Sequence, residues 1–130
     1  MVDTSKCPCG SQEHYKDCCK AFHDGAQIAE TAEKLMRSRY SAYVKNNKNY
    51  LLDTWHSSTR PKAEEFELDD NSEFRWLQLK VIKTELGSSR DNEGLVFFEA
   101  QYRFQGQEGT MQEASKFVKE DGKWFYIDGR

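Results

Sequence analysis

The chain has 130 residues, the size of one ordinary domain with a small appendage. Its formal net charge of −3 and its scattered lysines and arginines argue against a nucleic-acid partner, which needs a clustered basic face. No apolar run approaches the roughly 20 residues of a membrane-spanning helix, and residues 1–6 lack the apolar segment of a signal peptide. We therefore expect a cytoplasmic protein with no membrane partner.

All the cysteines of the chain lie close together near the N-terminus: they are Cys7, Cys9, Cys18 and Cys19. In a reducing compartment this spacing is more typical of a metal site than of disulfides, and a bond between the adjacent Cys18 and Cys19 would be strained. Four thiolates satisfy the tetrahedral coordination of Zn²⁺ and leave no open position, so the pattern predicts a structural zinc site. Ligand type alone does not exclude iron. The alternatives are free or redox-active thiols, and His14 as a ligand in place of one cysteine.

Residues 1–24 contain few apolar side chains, so a bound ion should order this first unit. The second unit, residues 25–130, starts with apolar side chains at helical spacing from about Ala26 to Lys45, with Asp24 as the expected N-cap. A second short helix is expected from Asn49 to Thr54. The apolar stripe of the first helix consists of Ile28, Ala32, Leu35, Met36, Ala42, Tyr43 and Val44. His23, at the junction of the two units, is expected on the surface.

Strand patterns follow a polar connection at residues 56–72. The expected strands are Phe74 to Leu86, Leu95 to Gln105, Met111 to Val118 and Trp124 to Ile127. In the second strand, Val96, Phe98 and Ala100 share one face because side chains alternate. Helices followed by an antiparallel meander predict an α+β fold, with the helices packed on one face of the sheet.

The cysteine segment resembles a known motif. Cys7-Pro8-Cys9-Gly10-Ser11, Tyr15 and Cys18-Cys19 are similar to the SEC-C motif, a small zinc-binding module found in many otherwise unrelated proteins. Gln12 and Glu13 stand where that motif commonly has Gly and Lys. This difference spares the ligands but removes positive charge, so a basic surface is not expected here.

The similarity extends along nearly the whole chain. The segments Ser38–Tyr43, Thr54–His56 and Glu113–Phe117 are similar to those of the YchJ family of small bacterial proteins. In that family SEC-C modules are joined to a domain with a nuclear transport factor two-like fold, which is also described as cystatin-like. The resemblance implies a curved sheet wrapped around helices, and it implies no activity.

A curved sheet of this kind often encloses a ligand cavity beneath its helices. On the third expected strand, Glu113 and Ser115 share the core face with Met111 and Phe117. A buried carboxylate needs a partner, and Arg39 at the edge of the helical stripe is the best candidate. Further polar contacts are expected from Tyr40, Tyr43 and His56. A structural ion pair that fixes the helix against the sheet is preferred here over a catalytic site.

Three functions remain open at this point. The preferred one is a zinc-stabilised module that takes a protein partner through the SEC-C segment or a small ligand in the sheet cavity, and a homodimer is also considered. The alternative is a small hydratase- or isomerase-like enzyme with Glu113 as general base, oriented by Arg39 or Ser115, which rests on fold-level analogy. A non-enzymatic role is favoured over it. Nucleic-acid binding ranks last, because acids outnumber lysines in residues 1–24.

Overall fold

The computed structural model describes residues 6–11, 13–66 and 74–129. After a 3-10 turn at Tyr15–Asp17, the helices are α1 (Cys19–His23), α2 (Ala32–Val44) and α3 (Lys48–Asp53). The strands of the described chain are β1 (Phe74–Leu86), β2 (Glu93–Phe104), β3 (Gln107–Glu120) and β4 (Lys123–Gly129). None of the helices in these ranges is both long and apolar enough to cross a bilayer. Residues 1–5 of the expected first unit and Asp69–Asp70 of the polar connection lie outside the described residues.

Helix α2 begins later than the apolar spacing predicts. Its N-cap is Thr31, whose hydroxyl accepts a hydrogen bond from the Lys34 amide at 3.1 Å. Asp24, the expected N-cap, instead ends α1 as its C-cap. Residues 26–31 form a non-helical link, and Ile28 is 56% exposed rather than part of the apolar stripe. The capping hydroxyl decides where the helix starts, because it satisfies an amide that has no partner inside the helix.

The strands form one antiparallel meander in the order β1-β2-β3-β4. Gln105-Gly106 joins β2 to β3 and Asp121-Gly122 joins β3 to β4, and both residues of each turn have positive φ. Such two-residue turns match the twist of the strands they connect. The first is shorter than the gap between the second and third expected strands, so β3 begins at Gln107 rather than Met111.

The main core lies between α2 and one face of the sheet. Val96, Phe98 and Ala100 are 0%, 4% and 1% exposed, which confirms the inward face predicted for β2. Phe117 of β3 is also fully buried. Each large side chain buried here contributes about 1.5–3 kcal/mol, so this layer stabilises the α+β fold that the element order predicted. The Trp124 indole joins it and donates a hydrogen bond to the Glu30 carbonyl at 3.0 Å.

The start of α2 rests on the hairpin between β1 and β2. The Ala32 amide donates a hydrogen bond to the Gly87 carbonyl at 3.0 Å. A Cβ at Gly94 would lie 2.5 Å from the Gly87 Cα and 2.8 Å from the Gly87 nitrogen. Glycine at position 94 is therefore required by close backbone approach, which brings the helix down onto the sheet.

Candidate metal centre

The sulfur atoms of the four cysteines meet at one point. All lie within 4.8 Å of one another, and Cys9 Sγ is 3.7 Å from Cys18 Sγ. Thiolates around one ion at metal–sulfur distances of about 2.3 Å would form a tetrahedron with edges of about 3.8 Å. All four cysteines are free of disulfides. The arrangement therefore suits a single tetrahedral metal ion, as the spacing of the cysteines predicted.

Local backbone geometry brings the two cysteine pairs together. Gly10 has a φ of +86°, and its amide donates a hydrogen bond to the Cys7 carbonyl at 3.3 Å. The Cys7 amide in turn donates to the Glu13 carbonyl at 2.7 Å. Cys18 caps the N-terminus of α1 and Cys19 is its first residue. The left-handed glycine reverses the chain, so the first pair turns back onto the start of this helix.

His14, the alternative ligand, is not part of the sulfur cluster. It is exposed, and its backbone pairs with that of Lys6 in an isolated bridge. The group of side chains placed to hold a metal ion consists of the cysteines alone among the described residues. The donor set is therefore four thiols.

The thiols differ in their tendency to lose a proton. Hydrogen bonds from the Cys19 and Cys9 thiols lower the pKa of Cys7. The pKa of Cys19 is raised, because its thiol is hydrogen-bonded to Cys7 and Cys9 and is also buried. Burial raises the pKa of the Cys18 thiol to about 11. Binding a cation here would displace the remaining protons, since the metal ligand is the thiolate.

Helix α2 provides further contacts to the cluster. The Ser41 hydroxyl lies 3.4 Å from Cys7 Sγ and 3.3 Å from Cys19 Sγ. The Arg37 guanidinium donates a hydrogen bond to the Cys9 carbonyl at 2.6 Å. Sequence reasoning missed both residues. The available signal was their spacing of four residues, which places them on the same face of the helix.

His23 links the first unit to the second. Its Nδ1 is 2.6 Å from the Tyr15 hydroxyl and its Nε2 is 2.8 Å from the Ser38 carbonyl. Its ring also packs against Tyr50, with centroids 4.7 Å apart. The expected surface position of His23 is therefore corrected, because the ring is partly buried between the 3-10 turn and the helices.

The buried guanidinium of Arg39 is held by neutral groups in place of the expected Glu113. Its Nη1 donates to the Leu51 carbonyl and to the Thr54 hydroxyl, each at 2.7 Å. Its Cζ lies 4.6 Å from the ring centre of Tyr126, a distance suited to a cation–π contact. Burial lowers the pKa of Arg39, although an arginine remains protonated at neutral pH. Arg39 therefore ties α2 to the end of α3 and to β4.

Glu113 and Ser115 lie on the core face of β3, as the alternation along the strand predicted. Glu113 is paired across the strands with Phe98, and Ser115 with Val96, both on the core face. Ser115 is 2% exposed, whereas Glu113 is only half-buried. Burial raises the pKa of Glu113, a hydrogen bond with the Ser115 hydroxyl opposes this, and the Asp128 carboxylate raises it further.

The remaining expected pocket residues are divided between two places. Tyr43 is partly buried beside both Arg39 and Glu113, and burial is the main reason why its pKa is raised. His56 has other partners, since its Nε2 is 2.7 Å from Glu120 Oε2 and its Nδ1 is 2.7 Å from the Ser58 hydroxyl. Tyr43 thus lies in the polar group around Glu113, whereas His56 lies apart from it and contacts Glu120 at the end of β3.

Open hollows of about 640 and 590 Å³ lie on the described part of the structure, and Glu113 lines neither of them. The larger is lined by residues of all the strands described, including Leu86, Leu95 and Lys116. The smaller lies along the non-helical link, at residues 26–30. Neither is the cavity beneath the helices that the fold resemblance led us to expect.

Two family models match the chain. Residues 31–129 match the YchJ middle NTF2-like domain, and residues 4–21 match the SEC-C motif. A UPF0225 protein of Streptomyces coelicolor is 45% identical over 128 residues, which cover 98% of this chain and 97% of that protein. A UPF0225 protein of Chromobacterium violaceum is 45% identical over 123 residues, covering 95% and 90% respectively.

Solved structures agree with these matches. The solution structure of a SEC-C motif containing protein from Rhodopseudomonas palustris is 32% identical, with a TM-score of 0.80 and coverage of 95% of this chain and 96% of that one. The crystal structure of a SEC-C motif containing protein from Psychrobacter arcticus is 26% identical, with a TM-score of 0.77 and coverage of 98% and 84%. The chain therefore belongs to the YchJ (UPF0225) family, in which a SEC-C motif accompanies an NTF2-like domain.

Proposed function

We propose that the protein is a zinc-stabilised binding module, in which the four cysteines hold one structural Zn²⁺. The observation that carries the proposal is the convergence of four sulfur atoms within 4.8 Å of one another. Thiolates are soft ligands suited to Zn²⁺, and four of them leave no coordination position for water or substrate. The SEC-C match at residues 4–21 supports zinc over iron.

The proposed ion would order the first unit, whose described residues between 6 and 24 we call the knuckle. The small buried cluster of the knuckle consists of cysteines with Tyr15 beside them. So little apolar area does not offset the entropy lost when such a segment is ordered. Phe22 at the end of the knuckle packs against the main core. Metal loading should therefore be coupled to the docking of the knuckle on the second unit.

Metal content tests this proposal directly. The purified wild-type protein should contain one equivalent of zinc by elemental analysis, and Cys18→Ser should lose it. Cys18 is the most exposed of the four cysteines, so this change disturbs packing least. Lys16→Ala is a matched control on the knuckle surface and should keep its zinc. Stoichiometric iron, or a Cys18→Ser variant that retains full zinc, would overturn the proposal.

A protein is the partner that best suits the knuckle surface. The exposed side chains of this surface carry both signs of charge: they are Lys6, Glu13, Lys16, Asp17, Lys20 and Asp24. A balanced surface gives little of the phosphate attraction that nucleic-acid binding needs. A photoreactive amino acid at position 16 should therefore crosslink to a specific protein in bacterial cells, and the Cys18→Ser background should abolish the crosslink. Crosslinks to nucleic acid alone, or none, would contradict this partner.

The polar group around Glu113 favours a second candidate, a small hydratase- or isomerase-like enzyme. Burial raises the pKa of the half-buried Glu113, and its carboxylate in turn helps to raise the pKa values of Tyr43 and Tyr126 nearby. A raised pKa suits a general base. The wild type should then exchange the α-protons of simple ketones with deuterium, and Glu113→Gln should not. Glu99→Gln on the outer face of β2 is the control, and no exchange by the wild type would exclude this candidate.

A further inference from the structure

One row of side chains on α2 faces the knuckle. Arg37, Ser41 and Lys45 are spaced four residues apart, so they lie one above the other on the helix surface and just past its end. Arg37 donates to the Cys9 carbonyl at 2.6 Å, and Lys45 Nζ lies 4.5 Å from the ring centre of Tyr15. Ser41, between them, is the member that reaches the sulfur atoms.

The Ser41 hydroxyl is buried and has sulfur atoms as its neighbours. The residue is 0% exposed, with Cys7 Sγ at 3.4 Å and Cys19 Sγ at 3.3 Å. A buried hydroxyl without a hydrogen bond is costly, and it carries a single proton to donate. The other buried serine of this helix, Ser38, instead bonds to the Leu35 carbonyl and the Tyr50 hydroxyl.

The charge of the proposed centre explains why such a donor matters. Four thiolates and one divalent cation carry a net charge of about −2, which is costly to bury without hydrogen-bond donors. A hydroxyl donating to a thiolate draws off part of this charge and fixes the orientation of the ligand. Ser11, whose hydroxyl is 3.2 Å from Cys18 Sγ, can do the same from within the motif. Ser41 is placed to donate a hydrogen bond to a cysteine sulfur from the neighbouring domain.

We infer that Ser41 is a positioning residue of the metal centre, which donates its one hydrogen bond to the metal-bound thiolate of Cys19, with the Cys7 sulfur beside it at 3.4 Å. This inference rests on the proposed metal site. It means that the NTF2-like domain helps to set the metal affinity of the SEC-C motif, rather than only carrying it. Loading of the metal and docking of the knuckle on α2 then strengthen each other.

The test compares two buried serines of one helix in the full-length chain. Zinc affinity is measured by competition with a chromophoric chelator for the wild type, Ser41→Ala and Ser38→Ala. Ser41→Ala should bind zinc about 10- to 100-fold more weakly, the usual effect of removing a partner of a ligand. Ser38→Ala should keep the wild-type affinity, and Ser41→Thr, which retains the hydroxyl, should recover most of it. Equal affinity of Ser41→Ala and the wild type would overturn the inference but leave the metal site standing.

A spectroscopic measurement separates this role from a merely structural one. In the Co²⁺-loaded protein, loss of a hydrogen bond makes a thiolate a better electron donor, so the sulfur-to-metal charge-transfer band of Ser41→Ala should shift to longer wavelength. Ser38→Ala should leave the band in place.

A second measurement needs only the wild-type protein and therefore applies even if Ser41→Ala does not fold. In the ¹¹³Cd-loaded wild type, the Ser41 hydroxyl proton should show scalar coupling to the metal through the thiolate. Absence of that coupling would overturn the inference, whereas failure of the wild type to bind any metal would overturn the proposed function itself.

Discussion

The neutral partners of the buried Arg39 imply that the charge of Glu113 is dispensable for stability. If these residues formed a buried ion pair, Glu113→Gln would leave an uncompensated charge and cost about 3–5 kcal/mol. Arg39 instead donates to the Leu51 carbonyl and the Thr54 hydroxyl, each at 2.7 Å. We therefore expect Glu113→Gln to change the free energy of unfolding by less than about 1 kcal/mol.

Replacing the guanidinium itself should be far more costly. Arg39→Met keeps a long, flexible stem but removes both hydrogen bonds, which contribute about 1.5–3 kcal/mol each because the donor is charged. It also removes the cation–π contact with Tyr126, which contributes about 2 kcal/mol when the cation is desolvated, as it is here. The change no longer requires a charge to be desolvated, which offsets part of this loss. The net destabilisation expected for Arg39→Met is about 3 kcal/mol.

Urea unfolding of the metal-loaded protein at about pH 7 measures these values for the wild type, both single variants and the double variant. Without an ion pair, the coupling energy between Arg39 and Glu113 should stay below about 0.5 kcal/mol. A coupling energy of about 2 kcal/mol, or a Glu113→Gln variant as unstable as Arg39→Met, would refute the reasoning. Equal m-values across the set are needed, because a changed m-value signals an altered unfolding transition.

Three further outcomes follow from individual contacts. Gly94→Ala should lower the free energy of unfolding by about 1–3 kcal/mol in urea, because its Cβ would lie 2.5 Å from the Gly87 Cα. His23→Phe keeps the ring but loses its hydrogen bonds to Tyr15 and Ser38, so it should cost about 1–2 kcal/mol while elemental analysis still finds one zinc. The pKa of Glu113 is raised in the folded state. Its contribution to stability is therefore fully present below the unfolded-state pKa of about 4.3, and it is lost as the pH rises through the folded-state pKa. The stability of Glu113→Gln relative to wild type should therefore increase between about pH 4 and pH 7 in urea titrations.

Each of these outcomes has a control or a contradicting result. Gly106→Ala has no heavy atom within 4 Å of its added Cβ, so it should cost only the strain of a positive φ, about 1 kcal/mol. An equal loss for both glycine variants would contradict the close-approach argument. Loss of zinc from His23→Phe would mean that the ring supports the metal centre directly. Parallel pH curves for Glu113→Gln and the wild type would contradict the raised pKa.

The convergence of the four cysteines could be predicted from the sequence because the information is local. Two cysteine pairs separated by a short turn can converge on one ion with little help from the rest of the chain. The reversal at Gly10 needs only a residue that tolerates positive φ. The inward face of β2 could also be predicted from the sequence, because side chains alternate along a strand and only one face of this sheet is covered by α2. The family resemblance pointed to the same fold.

The start of α2 shows where local pattern failed. Apolar spacing continued from Ala26 into the helix, but the non-helical link at residues 26–31 precedes the Thr31 cap. The position of the cap and the contact of Ala32 with Gly87 then set the helix start. A repeat of apolar residues does not distinguish a helical turn from a link lying on the surface of the molecule.

The sequence by itself determined the group of converging cysteines, the order of the elements and the inward face of β2. Only the tertiary structure decided the partners of the buried polar groups: it gave Arg39 neutral acceptors, placed His23 between the two units and set Ser41 against the sulfur atoms. The physical reason is that a buried donor must find an acceptor, but which acceptor it finds depends on how distant segments pack. The periodicity of the sequence predicts the face on which a side chain lies, but it does not predict which groups that side chain will contact.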